Sequence, residues 1–236
     1  MRAASLFALA LTLAASAAAQ TSLSYSPPRL VRGDLPAVAP PNVVGGGQVV
    51  IEAIVDRRGM LTRPVIVRST PPFSNLLLDA IGRWTFKPAE ALRDDNTTGP
   101  VDATVLIAAV YRPPTVVNGP TLGEVPKDVA KASTEVPYPT SLVSPPYPVK
   151  ALHASIVLFE VLLDERGKMT DARAIGSEPG FESAARDALM QWTFSPATYR
   201  GRPAPAVAYI VFGFAEPVVG TRTITPGQSP GISSGR

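Results

Sequence analysis

The chain contains no cysteine and a single histidine among its 236 residues. The absence of cysteine rules out a disulfide framework, a thiolate nucleophile, a cysteine zinc site and a lipoprotein anchor. A histidine triad or a Cys–His pair needs more such residues than His153 supplies. His153 reads as a surface or loop-packing side chain, and no metal site is expected. Charge is also sparse: 17% of residues are charged, and 22 Lys+Arg against 19 Asp+Glu give a net +3. With no basic run, a surface that tracks phosphates is excluded, and nucleic acid with it.

Long hydrophobic runs are missing after the first twenty residues, "MRAASLFALALTLAASAAAQ". These carry Arg2, an apolar stretch from Ala3 to Ala19, and an Ala17-x-Ala19 ending. That is the layout of a cleaved secretory signal over 1–19, with the cut before Gln20. A run of about 17 residues just reaches the lower limit for spanning a bilayer, so an uncleaved inner-membrane anchor is the alternative. Cleavage makes the mature chain periplasmic or secreted, with no membrane insertion.

What the chain has in plenty is apolar residues, at 45%, and 26 prolines. The first suffice for a core; the second cluster between periodic segments and mark loops and linkers. "WTFKPA" at Trp84 to Ala89 returns as "WTFSPA" at Trp192 to Ala197, 108 residues later. At that offset residues 56–89 match 164–197 at 14 of 34 positions, which reads as a duplication.

Each copy reads as β-β-α-β. The stretches 47–59 and 154–167 are apolar strands, each ending in Asp, two residues and Gly (Gly59, Gly167), a hairpin turn. More polar second strands follow. Phe73, Leu76, Leu77, Ala80, Ile81 and Trp84 share one helical face, as do Phe181, Ala184, Ala185, Ala188, Leu189 and Trp192. Last strands occupy 101–112 and 204–214. A right-handed crossover gives a three-stranded antiparallel or mixed sheet of order 2-1-3 with one helix on a face, leaving the third strand with a free edge. The fold class is α+β, two such units in tandem: 41–112 and 145–215. An irregular segment covers 20–40, a Pro-rich linker 113–144 and a disordered tail 216–236.

The second copy resembles the TonB carboxy-terminal domain family. "PPYPVKAL", with Tyr147 and Pro148, is similar to its entry motif, "VLLDERGKMTDARAIGS" to its hairpin, and "WTFSPATYRGRP" to its most specific signature. The first copy keeps the hairpin, the helix and "WTFKPA" but lacks the Tyr-Pro entry. The resemblance implies a non-enzymatic periplasmic interaction module. Its partner would be an envelope protein, such as an outer-membrane receptor, offering an extended peptide for strand addition. The candidate contact residues are then Val105, Ile107 and Ala109 in the first copy and Val207, Tyr209 and Val211 in the second. Two alternatives stand beside this: a pseudo-dimer whose units pair edge to edge, and an energy transducer if the amino terminus stays anchored. A homodimer is a further arrangement of the same edges.

The remaining candidates have structural readings. Asp56 and Asp164 precede hairpin glycines and serve the turn. Glu52 and Glu160 sit at equivalent places in apolar first strands and are expected on an open sheet face. The other reading for them is a buried acid of raised pKa. Gly45–Gly47 precede a strand, so they form no phosphate loop, and no cofactor is expected. Trp84 and Trp192 should pack in the core with a partner for each ring N–H. Phe86 and Phe194 should follow on the same side, and Pro88 and Pro196 stop the helix from resuming.

Overall fold

The computed structural model describes residues 24–40, 43, 45–94, 96–113, 133–148, 151 and 153–217. The expected leader at 1–19, most of the linker and the tail beyond 217 lie outside the described residues. The fold is mixed α+β, mostly strand, with two helices among the described residues. Short β1 (Tyr25–Ser26) and β2 (Arg29–Arg32) precede a long hairpin, β3 (Gly47–Val55) and β4 (Leu61–Arg68). Helix α1 (Phe73–Ile81) leads to β5 (Thr85–Lys87), β6 (Ala89–Leu92), β7 (Thr98–Val101) and the long β8 (Ala103–Arg112). In the second half β9 (Pro139–Ser141) precedes the hairpin β10 (Ser155–Leu163) and β11 (Met169–Gly176). Helix α2 (Pro179–Leu189) is followed by β12 (Thr193–Phe194), β13 (Ala197–Tyr199), β14 (Arg202–Ala204) and β15 (Ala206–Phe214).

Local chemistry explains the repeated parts. Asp56 accepts the backbone N–H of Arg58 and Met60, both at 2.9 Å, and Asp164 those of Arg166 and Lys168 at the same distances. Each carboxylate thereby closes its turn. Gly59 follows with φ +81°, a left-handed conformation only glycine adopts without strain, and its backbone faces the carbonyl of Phe86. The Phe86 N–H donates to the Gly59 carbonyl at 2.8 Å, so the turn is docked on the Trp-Thr-Phe segment. Gly201, at φ +74°, has open space where a Cβ would go. Gly59→Ala is therefore expected to cost clearly more than Gly201→Ala, which pays only about 1 kcal/mol of backbone strain. Urea unfolding of the two variants tests the order.

Helix α2 starts with Pro in its first turn and pairs Glu182 near its start with Arg186 near its end at 2.8 Å, favourable to the dipole and to i,i+4 pairing. Helix α1 has no acidic residue in its first turn, no basic one in its last and no side-chain cap. It is held by burying Phe73, Leu77, Ala80 and Ile81. Both helices end three residues before their tryptophan, so the apolar spacing outlasts the helix. Trp84 already lies in the turn, its backbone N–H bonded to Ile81 O at 3.1 Å.

The long strands form one six-stranded sheet in the order β11-β10-β15-β8-β3-β4. The order 2-1-3 is present in each half, as β4-β3-β8 and β11-β10-β15, but the two are joined through β8 and β15, which corrects the expectation of a free third-strand edge. The β15–β8 pair is parallel and every other pair in this sheet is antiparallel. Parallel pairing of two like strands relates the halves by a rotation about the strand direction, so the helices lie on opposite faces. The cluster that buries α1 holds Val49, Ile51, Val105 and Ile107, but also Leu158, Val207 and Val211 of the second half. The cluster that buries α2 holds Phe159, Ile210 and Phe212, but also Leu106, Ala108 and Val110 of the first. Every residue of β15 is buried. A strand that is apolar on both alternations belongs between two covered faces, as these central strands are.

Candidate interaction surfaces

The six residues expected on free third-strand edges lie at the centre of the sheet. Val105, Ile107, Ala109, Val207, Tyr209 and Val211 are all buried. Tyr209 pairs with Ile107 and Val211 with Ala109 across the parallel ladder. On its other side β8 pairs with β3, and β15 with β10. Neither third strand offers a free edge, because each is the other's partner.

The segment before each hairpin, expected to be irregular over 20–40, is a second structural feature. Strand β2 pairs with β5, putting Leu30 opposite Phe86, and β9 pairs with β12, putting Pro139 opposite Phe194. The Trp84 ring N–H donates to Asp34 O at 2.8 Å, and that of Trp192 to Val143 O at 3.0 Å. Each tryptophan thus ties its helix end to an incoming strand as well as to the sheet. Tyr147 donates to His153 O at 2.6 Å and sits edge-on to Phe181 and Phe214, while Pro148 follows it into the hairpin. His153 is exposed, with Nε2 2.7 Å from Glu178 Oε2, and belongs to no array of reactive groups. Pro196 is exposed and Pro88 half-buried, each just before a new short strand.

The equivalent glutamates differ from the open-face expectation, because the layer covering each comes from the opposite half. Glu160 has a fully buried side chain. Its Oε1 accepts from Arg29 Nε at 2.9 Å, Arg29 Nη2 at 2.6 Å and Arg173 Nη2 at 3.1 Å. Its Oε2 accepts from the Leu30 N–H at 3.0 Å and the Tyr209 hydroxyl at 3.3 Å. Burial pushes the Glu160 pKa up, but the Arg29, Leu30 and Arg173 donors together outweigh it and hold the carboxyl below its usual range. Burial and the adjacent Glu160 charge push the Tyr209 hydroxyl well up. Glu52, on the other face, accepts the Ser133 N–H at 2.8 Å, the one donor it has among the described residues, and burial raises its pKa. Each glutamate therefore fastens the incoming segment of the opposite half: Glu160 holds β2 and Glu52 holds Ser133. Nothing in the local sequence marks this, since the donors are 130 and 81 positions away.

A recess of about 420 Å³ opens where these parts meet, lined by Ser26, Pro27, Arg29, Lys87, Leu162 and Pro205 among others. Its cations are engaged, Arg29 with Glu160 and Lys87 with Glu90 at 3.2 Å. Among the described residues there is no group of His, Asp and Glu placed to hold a metal, and no helix long and apolar enough to cross a membrane.

Residues 143–214 match the model of the family described as Gram-negative bacterial TonB protein C-terminal. No match was found among curated proteins or among solved structures. The matched stretch runs from just after β9 to the last residue of β15 and so contains Trp192, Phe194, Gly167, Tyr147 and Pro148.

Proposed function

From the match of residues 143–214 to the TonB C-terminal family, we infer that the protein is a non-enzymatic interaction module of the cell envelope, built from two TonB C-terminal-like units. The units are 41–112 and 145–215, the first a degenerate copy, and the mature chain works in the periplasm after loss of residues 1–19. The third strands, which would otherwise receive a partner's peptide, hold the two units together as a pseudo-dimer. One observation carries this reading: the parallel ladder from Ala208–Leu106 to Phe214–Arg112, buried on both faces. Opening it to admit a peptide would expose the apolar surface of both cores at once, at roughly 25 cal/mol per Å².

The partner is a protein that meets the periphery of the sheet. Amide hydrogen exchange tests the arrangement in the full mature chain. The Tyr209–Phe212 amides should be among the slowest, and should stay so when an envelope partner is bound. Fast exchange there, or deprotection on partner binding, would mean that the third strands do open and would remove the basis of the reading.

A further inference from the structure

With the central strands closed, the sheet has two outer edges, β11 and β4, and they are not alike. Edge β11 is guarded. Arg186 of α2 reaches over it and donates to the Ala172 carbonyl at 2.7 Å, Arg173 is drawn inward to Glu160, and Leu35 packs on Gly176. Its well-exposed residues, Thr170, Asp171 and Arg173, are polar. At β4 no such guard exists among the described residues: the residue 108 positions before Arg186 is Leu78 of α1, whose side chain has no donor to offer. Pro64 stands where Ala172 does.

Among the described residues β4 pairs only with β3. Val65 is 59% exposed and Ile66 41%, and Met60, just before the strand, 44%. Successive strand residues point to opposite faces, so exposure of both Val65 and Ile66 leaves both faces open at that pair, whereas Val67 beside them is buried in the cluster that holds α2. A row of β-branched residues open on both faces and on the edge itself is the pattern that pairs with another strand. Arg63, at φ 50°, and Pro64 interrupt the ladder before the exposed pair Val65–Ile66, and the strand ends after it with buried Val67 and half-buried Arg68.

Charge selects the occupant. Arg63 and Arg68 stand on either side of Val65–Ile66, Arg57 and Arg58 lie in the turn before the strand, and Glu52, opposite Val65 on β3, is engaged by the Ser133 N–H. Asp56 is consumed by its turn, and Asp102 is paired with Arg57 at 3.6 Å. Arg58 and Arg63 are exposed. A second copy is disfavoured: antiparallel β4–β4 pairing centred between Val65 and Ile66 would set Arg63 opposite Arg68 at both ends, and like charges directly opposite destabilise a pair. We propose that the Val65–Arg68 edge of β4 takes an extended, β-branched segment with acidic flanks from another envelope protein. This rests on the pseudo-dimer reading above, which leaves β4 as the open edge.

The test uses the full mature chain and two blocked synthetic peptides, each Val-Thr-Val-Thr flanked by two residues on either side, Glu in one and Lys in the other. In amide NMR titrations the Glu-flanked peptide should shift Val65–Arg68 and leave β11 unmoved. The Lys-flanked peptide should bind about tenfold more weakly, because the cross-strand charge pairs change sign. The exposed substitution Arg63→Glu should invert that preference, and Val65→Lys should weaken both peptides, with circular dichroism unchanged in each variant. Three results would each overturn the proposal: no β4 shifts, equal binding of the two peptides, or slow exchange of the outward β4 amides in the free protein, which would mean that the chain already covers this edge. If β4 is silent while the Tyr209–Phe212 amides stay protected, this proposal fails alone. If those amides are unprotected, the pseudo-dimer reading fails with it.

Discussion

Trp84→Ala is expected to cost about 3–5 kcal/mol, the range for truncating a large buried aromatic. Trp84 is fully buried, and its ring lies edge-on to Tyr209 of the second half at 5.6 Å. Its N–H holds the carbonyl of Asp34 at 2.8 Å. One side chain therefore joins the end of α1, the amino-terminal segment and the opposite half, and all three contacts go together. Trp192→Ala belongs in the same range, since Trp192 packs edge-on to Phe212 at 5.5 Å and bonds Val143. The two should be distinguished by where protection is lost. In Trp84→Ala the amides of β2 should exchange faster, whereas in Trp192→Ala those of β9 should. Urea unfolding followed by far-ultraviolet circular dichroism gives the magnitude, and a loss under about 1 kcal/mol for Trp84→Ala would contradict a core role.

Arg29→Met should lower stability by about 3 kcal/mol at pH 7, the lower end of the range for breaking a buried ion pair. The lower end applies because Arg173 and the Leu30 N–H still serve Glu160. The dependence on pH identifies the cause. In the wild-type chain the Glu160 pKa is depressed on folding, so its contribution is complete above the usual carboxylate range and is lost as pH falls through the depressed value. Without Arg29 the buried carboxyl is less compensated, and protonation relieves the variant. The difference between wild type and variant should therefore shrink on acidification from neutral pH. Glu52 runs the other way: its folded pKa is raised, so its ionised form costs stability at neutral pH, and acid removes that cost. Urea midpoints of both chains across the acid range check the sign. A gap that stays constant down to the acid limit would show that Arg29 acts through packing alone.

Much of this was legible in the residues. The Asp-x-x-Gly turns, the helical spacing around Phe73 and Phe181, and the long apolar strands depend on neighbours within a few positions, and they lie where periodicity and turn chemistry put them. The short strands were not legible, since β1 and β12 span two residues each and leave no period to detect. Helix ends were over-extended because Trp84 and Trp192 continue an apolar face after the backbone has left the helix. "LIAAVY" in β8 and "AYIVFGF" in β15 are apolar on both alternations, as are the first strands, and such a strand is covered on both faces. That property marks β8 and β15 as interior strands just as it does β3 and β10.

By itself the sequence determined the local elements, their order, and the recurrence that places a Trp-Thr-Phe segment after each helix, because these follow from spacing and turn chemistry along the chain. Only the tertiary structure decided who covers whom. An apolar strand announces that it will be buried, but its partner, its direction and its register are set by surfaces a hundred residues apart. The parallel ladder between β8 and β15, the helices on opposite faces, and the burial of Glu160 beneath β2 all belong to that second class. Their physical reason is shared: each half leaves one apolar sheet face and one edge uncovered, and the other half is what closes them.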